Sequence, residues 1–182
     1  MAKPIVGIMG PGEGAKPEEN EIAFELGKAI AAEGWVVLTG GRGFGIMESA
    51  MKGAHEANGL TIGVLPYDDT QNASDAADIN IITGMGSARN VINVLSSHIL
   101  VVIGMAAGTA SEVALAIKAN KKIILLRQDE ITIRFFKNIG TYKILVANTI
   151  EDTIQIIRDY LKVKPAASAK TRIASRSAEA DS

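Results

Sequence analysis

The sequence predicts an α/β protein with a three-layer Rossmann-like fold, in which a mostly parallel sheet carries helices on both faces. Two observations predict this fold class. Short apolar runs alternate with amphipathic helical patterns over residues 1–162, and this alternation is typical of repeated strand–helix units with parallel strands. Glycine-rich loops also follow several of the predicted strands, where such folds turn from a strand into a helix. We therefore expect one ligand-binding domain over residues 1–162.

The predicted elements follow one another in a regular order. Seven apolar runs predict strands at 5–9, 35–39, 60–66, 79–83, 99–103, 122–126 and 143–147. Helical patterns cover 18–33, the segment from the 40–45 loop to about 58, then 87–97, 109–120 and 150–161. The run at 99–103 contains only Ile, Leu and Val, so we expect a central strand that is covered on both faces.

The composition excludes several classes of function. With 19 Lys and Arg against 20 Asp and Glu, the chain lacks the strongly basic charge of a nucleic-acid-binding protein. It has no cysteine, so thiolate chemistry is ruled out. The only histidines are His55 and His98, which we interpret as structural, so no protein-ligated metal is expected.

The ends of the chain carry no targeting signal that we recognise. No apolar run approaches the ~20 residues needed to span a bilayer, and the first residues lack the pattern of a signal peptide. We therefore expect a cytoplasmic protein without a membrane partner. Residues 163–182 are rich in Ala, Ser, Lys and Arg without an apolar period, which predicts a disordered tail, or partly a remnant of cloning.

Four of the predicted strands, those at 5–9, 35–39, 79–83 and 99–103, are followed by glycine-bearing loops. Because the carboxyl ends of parallel strands meet at one edge of the sheet, we expect the loops to surround a common crevice. Glycine at one such loop is ordinary turn chemistry, but glycine at four favours backbone amides left bare for an anionic, phosphate-bearing small molecule. The candidate binding residues of the first two loops are Gly10, Pro11, Gly12, Gly40, Gly41, Arg42 and Gly43.

The second of these loops joins a strand to a helix and contains Arg42. Helix N-terminal amides and the arginine would together form an anion cradle. The alternative is a tight turn with a surface arginine. The loop lacks the Gly-Lys-Ser/Thr ending of a Walker A motif, so a P-loop is not favoured. The acidic ribose-binding residue that usually follows the next strand is not obvious, which argues against a dinucleotide fold.

The loop after 79–83 leads into a predicted helix whose first turn contains Arg89 and Asn90. A cation at a helix N-terminus is electrostatically unfavourable. We therefore expect Arg89 to face a bound anion or a partner carboxylate such as Glu112, the alternative being a solvated surface arginine. The candidate binding residues here are Thr83, Gly84, Met85, Arg89 and Asn90.

The loop after 99–103 supplies Gly104, Ala107, Gly108, Thr109 and Glu112 as candidates. Thr109 is a natural N-cap and Glu112 follows three residues later, so a capping box explains both side chains. It does not explain why the small residues from Ala106 to Gly108 lie between the buried strand and Thr109. The functional alternative is that Thr109 donates its hydroxyl to a phosphate while Glu112 lies one helical turn inside the pocket.

These motifs, in this order, resemble the LOG-like superfamily, also called lysine decarboxylase-like, and within it the molybdenum cofactor carrier proteins. The resemblance covers roughly residues 4–162 and is carried by 40–43 with Met47 and Glu48, by 83–90 and by 108–116. It implies binding, protection and delivery of molybdenum cofactor, a pterin with a terminal phosphate and an anionic molybdenum, without catalysis. It also implies a homo-oligomer, dimer or tetramer, with molybdenum enzymes as candidate recipients.

The alternative within the superfamily is a phosphoribohydrolase that cleaves nucleoside 5′-monophosphates such as AMP or a cytokinin riboside monophosphate. Its motif is Pro-Gly-Gly-x-Gly-Thr-x-x-Glu, with an arginine–lysine pair on the preceding helix. The chain departs at Met105 and Ala106, in place of the glycine pair, and at Asn90, in place of lysine. The resemblance therefore favours a carrier with no catalytic residues; in a hydrolase, Arg89 and Glu112 would be catalytic.

Overall fold

The computed structural model describes residues 2–163, which contain one seven-stranded parallel sheet. Its strand order is β4–β3–β2–β1–β5–β6–β7. The strands are β1 (Ile5–Met9), β2 (Val36–Thr39), β3 (Thr61–Leu65), β4 (Ile79–Ile82), β5 (Ile99–Ile103), β6 (Lys122–Leu126) and β7 (Ile144–Ala147). All the predicted strands are thereby confirmed.

Helices cover both faces of this sheet. They are α1 (Pro17–Ala32), α2 (Gly45–Glu56), α3 (Asn90–Ser96), which follows a 3-10 helix (Gly86–Arg89), α4 (Ala107–Lys118), α5 (Glu130–Gly140) and α6 (Ile150–Val163). Helices α1, α2 and α6 bury residues such as Leu26 and Ile157 on one face. Helices α3, α4 and α5 bury Val94, Val113 and Phe136 on the other. The predicted three-layer Rossmann-like fold is therefore confirmed.

Helix α5 was not predicted from the sequence. It exposes Ile131, Phe135 and Ile139 while it buries Phe136, so its apolar residues do not mark a single buried stripe. The local signal for its start is Asp129, whose carboxylate accepts a hydrogen bond from the backbone N–H of Thr132 at 2.9 Å. An aspartate in this position is a strong N-cap.

The C-terminal prediction is only partly within the structure. Helix α6 extends to Val163, one residue into the segment predicted to be a tail. Residues 164–182 lie outside the described part of the chain. No helix of residues 2–163 is long and apolar enough to cross a membrane.

Strand β5 lies between β1 and β6 and is buried along its whole length, which confirms the predicted central strand. Residues Val6 to Met9 of β1 pair with Ile99 to Val102 of β5 in parallel register. The chain leaves these adjacent strands in opposite directions, since β1 leads towards β2 and β5 towards β6. This divergence opens a crevice at their carboxyl ends, the usual ligand position in open α/β sheets.

The two histidines lie in different settings, and only His98 has a structural contact. His98 precedes β5, and its Nδ1 accepts a hydrogen bond from the backbone N–H of Ile5 at 3.0 Å, so it ties β5 to β1. His55 lies exposed near the end of α2. Among residues 2–163, no group of three or more His, Asp or Glu side chains is arranged to hold a metal ion.

Candidate functional site

A cavity of about 210 Å³ lies at the crevice between β1 and β5. The chain segments after β1, β2, β4 and β5 all contribute to its wall, as expected from the glycine-bearing loops. The predicted site residues that line it are Gly10, Pro11, Gly12, Gly40, Arg42, Arg89, Asn90, Gly108, Thr109 and Glu112. Four segments far apart in sequence therefore meet at one site.

Three of the predicted glycines lie outside this cavity and have packing partners of their own. Gly41 has a φ of +77°, and a Cβ there would lie 2.9 Å from the backbone of Gly63. A Cβ at Gly43 would lie 3.1 Å from the Ala73 carbonyl oxygen. A Cβ at Gly104 would lie 2.8 Å from the Glu19 carboxyl group. Glycine at these positions is explained by the fold alone.

The remaining predicted residues lie around the rim or in turns. Thr83 holds the turn after β4, because its hydroxyl donates to the Leu65 carbonyl at 2.7 Å. Gly84 and Met85 follow in the same exposed turn, and Ala107 is exposed in the first turn of α4. None of these residues is among the lining side chains of the cavity.

Arg89 and Glu112 form a buried ion pair in the cavity wall. Arg89 Nη1 lies 3.5 Å from Glu112 Oε1, and each side chain is 8% exposed. The same Nη1 donates to Asn90 Oδ1 at 2.8 Å. Asn93 Nδ2 donates to Glu112 Oε1 at 2.8 Å. The predicted partner carboxylate of Arg89 is therefore confirmed, and the interpretation of Arg89 as a solvated surface arginine is wrong.

Burial dominates the electrostatics of this pair. It lowers the pKa of Arg89, an effect that the charge of Glu112 opposes. Burial likewise raises the pKa of Glu112, against the hydrogen bond from Asn93 and the charge of Arg89. Charges held away from water in this way interact more strongly with a ligand than charges on the surface do.

Thr109 does not cap helix α4, so one of its two predicted roles is wrong. Helix α4 begins at Ala107, with Ala106 as N-cap and without a side-chain cap, so Thr109 is its third residue and the capping box with Glu112 is wrong. Thr109 is 2% exposed, and its Oγ1 is buried without a hydrogen-bond partner among the described residues. An orphaned buried hydroxyl is costly, which points to a partner that the protein itself does not supply.

Two arginine nitrogens share this property. Arg42 Nε and Arg89 Nε are buried without an acceptor in residues 2–163, and both side chains line the cavity. The guanidinium of Arg42 also lies 4.7 Å from the centre of the Phe44 ring, an arrangement that holds the cation in place. The cavity wall therefore holds two arginines, each with one buried N–H that has no acceptor among the described residues.

Gly108 is the lining glycine that the fold does not require. It is the second residue of α4, its φ is not positive, and a Cβ built on it would meet no atom within 4 Å. By contrast, a Cβ at Gly10 would lie 2.4 Å from the Ile103 carbonyl oxygen, and one at Gly40 would lie 2.6 Å from Arg89 Nη2. Glycine in a helix is unfavourable by about 0.8–1 kcal/mol relative to alanine, so neither packing nor backbone conformation explains the glycine at this position.

Sequence reasoning missed several residues of this site. Met9, Met47, Pro66 and Ser87 line the cavity, and the fully buried Asn93 orients Glu112. For Asn93 a signal existed, because it follows Arg89 by four residues and therefore shares its helix face. The other side chains have no distinguishing pattern in the sequence.

Comparisons with known proteins agree with this architecture. The sequence model of the SLOG cluster4 family matches residues 3–154. A molybdenum cofactor binding protein from Rippkaea orientalis is 50% identical, with a TM-score of 0.87, and the match covers 88% of this chain and 99% of that one. The molybdenum cofactor carrier protein of Chlamydomonas reinhardtii is 48% identical, with a TM-score of 0.85 and the same coverage.

A curated protein is also similar to this chain over two thirds of its length. An uncharacterized protein of Archaeoglobus fulgidus is 43% identical over 122 residues, which are 67% of this chain and 79% of the relative. The predicted resemblance to the LOG-like superfamily is confirmed by the family match over most of the described residues. On this evidence the chain belongs to the SLOG cluster4 family.

Proposed function

We propose that this protein binds molybdenum cofactor at the cavity between β1 and β5, protects it and delivers it to another protein. The observation that carries the proposal is the bare Gly108 beside the orphaned Thr109 hydroxyl at the start of α4. The proposal is supported by the similar proteins from Rippkaea orientalis and Chlamydomonas reinhardtii, which are described as binding or carrying this cofactor.

The chemistry of the cofactor fits the donors of the site. Its phosphate and its molybdenum centre are both anionic, and the N-terminus of α4 attracts negative charge through its free amides and its dipole. Arg42 and Arg89 add positive charge at the same cavity. The dithiolene of the cofactor already ligates the metal, so a chain without cysteine needs to supply only hydrogen-bond donors.

The size of the cavity bears on how the cofactor would be held. Its volume of about 210 Å³ lies below the roughly 300–1,000 Å³ of sites that enclose a drug-sized ligand. The cavity would therefore enclose part of the cofactor and leave the rest at the rim. A ligand held in this way is shielded at its buried end and still accessible to a receiving protein.

We also propose that the site acts without catalysis. Ala106 lines the cavity where the hydrolase motif has glycine, and Asn90 stands in place of its lysine. Release of free base from AMP or from a cytokinin riboside monophosphate, abolished in Glu112→Ala, would instead establish the phosphoribohydrolase alternative.

The test is a titration of the purified protein with molybdenum cofactor in the absence of oxygen. We expect saturable binding and slower oxidative loss of the bound cofactor. Arg42→Gln should weaken binding about tenfold or more, because a hydrogen bond to a charged group contributes about 1.5–3 kcal/mol. Arg134→Gln, the same change on an exposed residue of α5, is the matched control. Absence of saturation, or equal effects of the two variants, would refute the proposal.

We further propose that residues 1–162 act as one binding domain and that copies of it associate. Ile79 and Ile82 of the edge strand β4 and Leu95 of α3 are large apolar side chains exposed to solvent, which supports association. Light scattering coupled to size exclusion tests this association, and a monomer mass would contradict it.

Delivery of the cofactor is tested by its transfer to a cofactor-free molybdenum enzyme. The predicted cytoplasmic location is tested by cell fractionation.

A further inference from the structure

Glu112 is a hydrogen-bond acceptor in a cavity wall that also contains Arg42, Arg89 and Thr109, each with one buried polar atom that has no partner among the described residues. Its side chain is more than nine-tenths buried and lines the cavity. One oxygen, Oε1, accepts from Asn93 and lies next to Arg89. No residue in the range 2–163 donates a hydrogen bond to the other oxygen, Oε2.

An acceptor of this kind is unfavourable for a ligand that is only an anion. Oxygens of a phosphate or of a molybdenum centre would be repelled by the negative charge at Oε2. The neighbouring Arg42, Arg89 and Thr109 atoms all require acceptors. A ligand that forms hydrogen bonds with all four residues therefore brings acceptor oxygens to the three donors and an N–H group to Glu112.

We propose that Glu112 Oε2 accepts a hydrogen bond from the exocyclic 2-amino group of the pterin ring, and that Glu112 thereby selects 2-amino-4-oxo heterocycles over their 2-oxo analogues. This inference rests on the proposed function, because it assigns the pterin end of the same ligand. It makes Glu112 a specificity-determining residue with no part in bond cleavage.

The orientation of the Glu112 carboxylate allows a test by a single substitution. Asn93 Nδ2 donates to Oε1, and in Glu112→Gln the same donor would hold the amide oxygen at that place. The amide nitrogen then replaces Oε2 and presents N–H groups to the ligand. A residue that accepts from a 2-amino group becomes one that donates to a 2-oxo group.

The experiment compares the affinities of pterin-6-carboxylate and lumazine-6-carboxylate, which differ in the 2-amino and 2-oxo groups, by ligand fluorescence. The unmodified protein should bind the pterin about tenfold more tightly, because a site built for a hydrogen bond rejects the analogue that lacks it. Glu112→Gln should reverse the preference. Glu112→Asp, which withdraws the carboxylate, should abolish the preference without reversing it, and Glu130→Gln on α5 should leave it unchanged.

The outcomes separate this inference from the proposed function. A reversed ligand preference in Glu112→Gln cannot arise from partial unfolding, since unfolding lowers the affinity for both ligands equally. Equal binding of the two ligands by the unmodified protein, an unchanged preference in Glu112→Gln, or cofactor binding without any pterin-6-carboxylate binding would overturn the inference while the carrier function stands. Failure of the cofactor itself to bind would overturn both.

Discussion

Arg89 Nη1 lies 3.5 Å from Glu112 Oε1, and this contact joins the segment after β4 to helix α4. The two residues belong to separate sequence motifs. They meet because the chain returns from the edge strand β4 to the central strand β5, and α3 and α4 then pack side by side. The pair forms one wall of the cavity and is the basis of the first prediction.

Glu112→Gln should stabilise the ligand-free protein at neutral pH. Burial raises the pKa of Glu112, so the folded state favours the protonated carboxyl more than the unfolded state does. Protonated Glu112 therefore contributes to the free energy of unfolding. This contribution is fully present below the ordinary Glu pKa of 4.5 and is lost as the pH rises and the group ionises. The uncharged amide of the variant resembles the protonated acid at every pH.

Thermal melts of both proteins between pH 5 and pH 8 measure this effect. We expect the melting temperature of the variant to exceed that of the unmodified protein at pH 8, and the difference to narrow as the pH falls. A variant that melts lower at pH 8 would show that the attraction between Arg89 and Glu112 outweighs the cost of burial.

Gly108→Ala should raise stability and weaken binding at the same time. The fold has open space for the methyl group, and alanine in a helix is favoured over glycine by about 0.5–1 kcal/mol. The same methyl group occupies space in the cavity. Differential scanning fluorimetry and cofactor titration report the two effects. Gly14→Ala, also in open space but not lining the cavity, should leave the affinity unchanged.

Thr109→Val should leave the ligand-free protein as stable or make it more stable, because it removes a buried hydroxyl that has no partner. Its affinity for the cofactor should fall about five- to tenfold, the effect of one lost hydrogen bond of about 1 kcal/mol or slightly more. Thr109→Ser is the matched variant. It should keep the affinity and lose some stability, since it retains the hydroxyl and removes a buried methyl group.

Gly40→Ala should displace the guanidinium of Arg89. The added Cβ would lie 2.6 Å from Arg89 Nη2 and 2.8 Å from Met47 Sδ. Overpacking of this kind typically costs about 1–3 kcal/mol of stability, and movement of Arg89 should also weaken cofactor binding. Urea unfolding and the titration measure the two losses.

A double-mutant cycle identifies the cause of the Gly40→Ala effect. When Arg89→Gln is already present, Gly40→Ala should cost less binding energy than in the unmodified protein, because the two positions are in contact. Strict additivity of the two changes would show that the methyl group acts through Met47 or the backbone instead.

Part of the candidate site was predictable from local signals. Glycine-bearing loops at strand ends indicated where Gly10, Gly40 and Gly108 lie, because parallel strands bring their carboxyl ends to one edge. The sequence could not distinguish a glycine kept bare for a ligand from one required by packing. Gly41, where a Cβ would lie 2.9 Å from the Gly63 backbone, is of the second kind, and only the neighbouring atoms reveal this.

The residues alone determined the fold class and the seven strands, since a buried parallel strand needs a continuous apolar run. They also named Glu112 as one candidate partner of Arg89, because a cation at a helix start is unfavourable without one, and the structure then identified the pair. Only the tertiary structure decided that α5 is helical, that Thr109 lies inside α4 instead of capping it, and that Glu112 is oriented by Asn93. The physical reason is that periodicity along a chain reports how each element is buried. Hydrogen bonds and ion pairs between elements depend on which of them become neighbours in the folded protein.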